Sequence, residues 1–188
     1  MARSVAAVYD WVWSRLEPPN RFNFGKARAV VDAIVRADLY SNMSTLAERI
    51  VIEADSYIGT PFLHQGKLRG LGIDCAHFVA NVINAARLNS EPIEIPHNYK
   101  PTEDGTIMMS LLGANAEFIQ TEDRQPGDVL ALIAESLAHP DVPRHLAFVV
   151  DVTPKTTFIT HASQHGVKRH RMDSHWMKRI HSVWRAHE

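Results

Sequence analysis

An α+β fold carrying an antiparallel sheet is what this 188-residue sequence predicts. Three observations lead there. Apolar residues recur at helical spacing before residue 87, short β-rich runs follow residue 125, and the two textures never alternate as a βαβ chain would.

Taken in order, residues 4–16 place Val5, Val8, Trp11, Val12 and Leu16 at helical spacing, and "EPPN" ends that helix because proline cannot continue it. A second helix fits 25–40, where Val30, Val31, Ile34, Val35 and Leu39 form a stripe. "SNMS" is a break; Ser44 reads as the N-cap of a third helix over "TLAERIVIEADSYIG", and Met43 could serve as an alternative start. The chain is therefore expected to divide into an N-terminal helical extension, 1–42, and a main domain, 43–188. Trp11, Trp13, Phe22 and Phe24 give the extension apolar area that could dock a partner or simply cover the core.

From Gly59 the texture changes to a glycine-rich loop, "GTPFLHQGKLRGLGI", which runs into Asp74-Cys75. The next segment puts Phe78, Val79, Val82, Ile83 and Ala86 on one helical stripe. Asp74 is placed to cap that helix, which makes Cys75 its first residue. The stretch 90–125 is polar and irregular, with a short helix expected near 107–113. "QPGDVLALIA", "HLAFVVDV" and "TTFITHAS" then read as strands, and "GVKRHRM" and "RIHSVWRA" as two more.

Composition narrows the function. A formal charge of −1 argues against a broad nucleic-acid or anionic-membrane footprint, and no run approaches the ~20 apolar residues of a membrane span. The N-terminus lacks a continuous apolar signal core and a cleavage site, so synthesis in the cytoplasm without a signal peptide is expected. A single cysteine cannot form an intramolecular disulfide. His165, His170, His175, His181 and His187 are irregularly spaced, with no second cysteine beside them, so a solvated basic tail is the better reading than a metal site.

The lone Cys75 poses the functional question. By itself, a cysteine before an apolar run is more often an inert core residue. At a helix start, however, the dipole and unpaired N–H groups favour a thiolate, and an imidazolium partner would bring its pKa well below 7. His145 opens one expected strand and His161 sits on the next, so adjacent antiparallel strands could bring the two imidazoles together. One would pair with the thiol and the second would orient the first.

"GTPFLHQG…GIDCAHFV", "QPGDVLAL", "HLAFVVD" and "FITHAS" resemble, in order, the motifs of the NlpC/P60 family of cysteine peptidases, over roughly 45–185. The "HQG" loop and the tail resemble the branch found in phage tails and gene transfer agents. The resemblance implies a papain-like core, with Cys75 as nucleophile at a helix N-terminus, His145 as base and His161 as orienting residue, and makes 43–188 the catalytic domain. It implies hydrolysis of peptidoglycan stem peptides with no metal or organic cofactor. Phe62, His64, Gln65, Asp74 and His77 become candidates for the substrate cleft. The family's tyrosine is Phe62 here, and its glycine after the cysteine is His77, which adds bulk beside the nucleophile. The implied partners are a peptidoglycan peptide and phage-tail or secretion-machinery proteins, with the chain virion-associated or delivered to the cell wall by other machinery. Two rivals stay open: a non-enzymatic tail or scaffold component keeping the fold, and a zinc-binding hydrolase using Cys75, His145 and His161 as ligands.

Overall fold

A computed structural model describes residues 45–87, 91–96, 98–99, 106–113, 118–133 and 142–187. The two expected helices before residue 42 lie outside the described residues. All the elements below belong to the second of the chain's two units, Thr45–Glu188.

Helix α1 (Leu46–Ser56) is capped by Thr45, whose side chain accepts from the Glu48 N–H; the first-turn capping role expected of Ser44 thus falls one residue later. A hairpin of β1 (Lys67–Leu68) and β2 (Gly72–Ile73) leads into α2 (Cys75–Ala86), followed by α3 (Thr106–Gly113). Then come β3 (Phe118–Thr121), β4 (Val129–Ile133), β5 (Pro143–Thr153), β6 (Thr156–Ser163), β7 (Gly166–Arg171), the single-turn α4 (Ser174–Met177) and β8 (Ile180–Ala186). The six long strands form one sheet in the order β3-β8-β4-β5-β6-β7, antiparallel at every junction. This is the expected α+β arrangement. The five strands expected after residue 125 are all present, whereas β3 and the β1–β2 hairpin lie in segments whose sequence reads as loop.

The core explains why these elements stay together. Phe78, Val79, Val82, Ile83 and Ala86 of α2 are all buried, so the stripe seen in the sequence is the packing face. Phe78 meets Phe148 of β5 and Tyr57 edge-on, each at 5.5 Å between ring centres. Leu130, Leu132, Ala147, Val149, Ile159, Met172 and Val183 make a second cluster, with Trp176 and Ile180 packed against it. Because apolar clusters lie on both sides, β5 is buried continuously from Leu146 to Val150 and does not alternate. Asp55 ties α1 to the sheet, accepting from Thr160 Oγ1 (2.7 Å) and Arg169 (2.9 Å).

Candidate active site

The local sequence around Cys75 builds a rigid helix start. Asp74 is extended (φ −103°, ψ 177°) and its carboxylate accepts from the His77 N–H at 3.0 Å, so Cys75 is the first residue of α2. The preceding loop is pinned to the residues just before the helix. Leu63 N–H donates to the Ile73 carbonyl (3.1 Å), and Ile73 N–H to that of Pro61 (3.0 Å). Gly66 permits this crossing, because a Cβ there would stand 2.6 Å from the Gly72 carbonyl oxygen.

His145 enters from the start of β5. The β4–β5 register shifts between Leu132 and Ile133, immediately beside the Leu132–His145 pair, and such a bulge re-aims the side chains next to it. His145 Nε2 is 2.5 Å from His161 Nδ1 of β6, and the rings meet edge-on at 4.8 Å. The two histidines are therefore brought together as the strand spacing suggested. With Nε2 engaged, Nδ1 is the nitrogen His145 has left for another partner. Cys75 and His145 line one cleft of about 330 Å³, without a thiol–imidazole hydrogen bond between them.

Electrostatics overturn one expectation. Burial and the neighbouring Asp74 carboxylate push the Cys75 thiol up to about 12, while the backbone N–H groups of Leu146, Cys75 and Ala76 pull the other way. The helix-start effect read from the sequence is present in the Cys75 and Ala76 N–H groups, with Leu146 adding a donor from β5, yet desolvation exceeds them. The expected imidazolium is absent too. Burial, and secondarily His170, hold His145 down to about 4, and burial with His145, His170 and Lys168 holds His161 down to about 3. At neutral pH this is a thiol beside a neutral imidazole pair.

Of the cleft candidates, Phe62, His64 and Asp74 line the cavity together with Cys75 and His145. Gln65 and His77 stand beside it. Gln65 Nε2 donates to the Tyr99 carbonyl at 2.6 Å, and its N–H to Asp74 Oδ2 at 2.8 Å. His77 is held by Asp74 and Tyr99: its Nδ1 is 3.0 Å from both Asp74 Oδ1 and the Tyr99 hydroxyl. Tyr99 also donates its hydroxyl proton to Asp74 Oδ2. Burial tends to raise the Asp74 carboxyl, but hydrogen bonds from His77, Tyr99 and the His77 and Gln65 backbone hold it below the usual range. Burial and the bonded Asp74 push the Tyr99 phenol well above its own.

Sequence reasoning missed Tyr99, Met108 and Arg144, which also line the cleft. Tyr99 lies in the polar stretch that carries no periodic signal. Arg144 is next to His145, so adjacency alone could have found it. Among the described residues no group of three or more His, Cys, Asp or Glu is arranged to hold a metal ion, so Cys75, His145 and His161 do not form a zinc ligand set there. Nor is any helix among them long and apolar enough to cross a membrane.

No family model and no curated protein sequence matches the chain. Solved structures do. A Staphylococcus aureus protein of the NLP/P60 family, described as similar to lipoprotein, superposes with a TM-score of 0.52 at 16% identity, covering 76% of this chain and 42% of that one. An NlpC protein of Trichomonas vaginalis gives 0.53 at 15% identity, over 77% and 45%. The NlpC/p60 domain of the peptidoglycan hydrolase SagA gives 0.45 at 21%, over 76% and 98%. The first two show that this chain has the NlpC/P60 fold, and it spans less than half the length of either.

Proposed function

We propose, from an NlpC/P60 fold with a cysteine and a histidine pair at one cleft, that this chain is a cysteine peptidase acting on cell-wall stem peptides. The observation that carries the proposal is the engagement of His145 Nε2 by His161 Nδ1. If His145 donates that hydrogen bond, its Nδ1 is an unprotonated acceptor at the cleft that Cys75 shares.

The reaction then runs by general-base activation, without a resting ion pair. The thiol sulfur bonds to the scissile carbonyl carbon as its proton passes to His145 Nδ1. The backbone N–H of Cys75 donates to the resulting oxyanion. Collapse breaks the carbon–nitrogen bond, and His145 returns the proton to the leaving amine. Water then attacks the thioester with His145 again as base, releasing the acid and restoring the thiol. His161 accepts from Nε2–H throughout, holding the base in the required tautomer.

Peptidoglycan stem peptides as substrate, and delivery by a phage tail or other machinery, rest on the sequence resemblance. Mass spectrometry of a peptidoglycan digest tests the activity. Wild type should release stem-peptide fragments and Cys75→Ala should release none, whereas equal release from both would sink the assignment. The scaffold reading keeps one observation on its side, the buried neutral thiol, and it predicts no fragments from either protein.

A further inference from the structure

Three adjacent strands each contribute one histidine to the same row. Beyond the His145–His161 pair, His170 of β7 meets His161 edge-on at 4.7 Å. The register explains this: His161 pairs with Lys168 and Ile159 with His170, so His161 and His170 are diagonal neighbours on one sheet face. The row is closed by Trp176, 5.2 Å from His161 and 5.0 Å from His170. Asp173 puts Trp176 there, because its carboxylate accepts from the His175 and Trp176 N–H groups (2.9 and 3.0 Å) and starts the single turn of α4. His170 Nε2 is buried without a hydrogen-bond partner, an arrangement that is unfavourable in general. A buried nitrogen left unpaired beside a reactive pair calls for a functional account.

We propose that His170 and Trp176 are positioning residues for the histidine pair, walling the His161 ring so that its Nδ1 stays turned on His145 Nε2. The proposal rests on the peptidase reading for its effect on turnover, but the positioning itself is independent of it. A neutral His170 is also a requirement of the arrangement. The reaction creates an imidazolium at His145, and a second positive charge two rings away would oppose it. Of the charged groups around the row, Asp173 acts on His170, Lys168 acts on His161, and Arg179 lies over Trp176 at 5.8 Å. Burial lowers the His170 pKa against the pull of Asp173, so the ring is neutral at pH 7 and gains its proton on acidification.

The test compares full-length wild type with His170→Ala, His170→Phe and Trp176→Ala. Turnover of a stem peptide is followed from pH 5 to 8, alongside ¹⁵N NMR of the histidine rings. We expect His170→Ala and Trp176→Ala each to lower kcat about tenfold with KM within twofold, and His170→Phe, which restores a ring of similar shape, to recover most of it. In the NMR spectra, the Nε2–H form of His145 should dominate in wild type and His170→Phe and give way to mixed tautomers in His170→Ala. Unchanged kcat and tautomers in both alanine variants would overturn the proposal. So would a loss in kcat matched by a rise in KM. Wild-type protein showing the expected tautomers but no turnover would instead overturn the peptidase reading and leave the positioning supported. Should the alanine variants fail to fold, His170→Leu, which fills the space without a flat ring, is read by the same kcat and tautomer criteria.

Discussion

At the scale of single residues, two neutral imidazoles are not equivalent when one, His145, lines the cleft and the other, His161, does not. In the proposed mechanism His145→Ala removes the group that takes the thiol proton, so turnover should fall by about 10²–10⁴-fold. His161→Ala leaves the base but frees its ring, and water can replace part of the bond, so a loss of about 10–100-fold is expected. Measured kcat values for both variants check this; equal losses would contradict the division of roles. The thiol makes a second prediction. With its pKa at about 12, iodoacetamide labelling should be slow at pH 7 and rise about tenfold per unit as pH increases. Asp74→Asn keeps a helix cap and removes the nearest negative charge, so labelling at pH 8 should accelerate. Fast labelling of wild type below pH 7 would show that burial does not govern the thiol.

At the scale of elements, the approach to the cleft depends on one turn. Gly166 sits at φ +88°, and a Cβ there would stand 2.7 Å from the Thr60 carbonyl oxygen. That carbonyl accepts from Val167 N–H at 2.8 Å, and Gly59 N–H donates to Val167 O at 3.0 Å, so the β6–β7 turn anchors the segment leading to Phe62 and His64. Gly166→Ala should lose about 1–3 kcal/mol in urea unfolding and lower kcat/KM more than kcat, because it displaces cleft walls and spares the reacting groups. Most elements could be read from the sequence because each carries its own signal: the Asp74 cap, the 3.6-residue stripe of α2, the turn before β4. Strand β3 could not, since Phe118–Thr121 has one buried position and takes its partner, β8, from 62 to 68 residues away.

At the scale of the whole molecule, burial of the histidine pair links folding to pH. His145 and His161 bind protons at about 4 and about 3 when folded, and near 6.5 when unfolded. Below pH 6.5 the unfolded chain therefore takes up protons that the native state refuses. Stability should be full above that pH and fall as acid is added toward pH 4. Asp74, held low by its hydrogen bonds, adds loss of the same sign in stronger acid. Urea unfolding at pH 7.5, 6 and 5 measures the slope, and a His145→Ala/His161→Phe double variant should flatten it; an identical slope would place the acid sensitivity elsewhere. Chain order and period alone determined the α+β class, the helix that begins at Cys75 and the neighbouring strands that carry His145 and His161, because caps, stripes and turns are local. Only the tertiary structure decided that the thiol rests neutral, that His77 turns to Asp74 and Tyr99, and that His170 and Trp176, in a tail whose sequence reads as solvated, close the histidine row. Each of those comes from desolvation and from contacts across strands, which depend on what packs nearby in space and leave no mark in the order of residues.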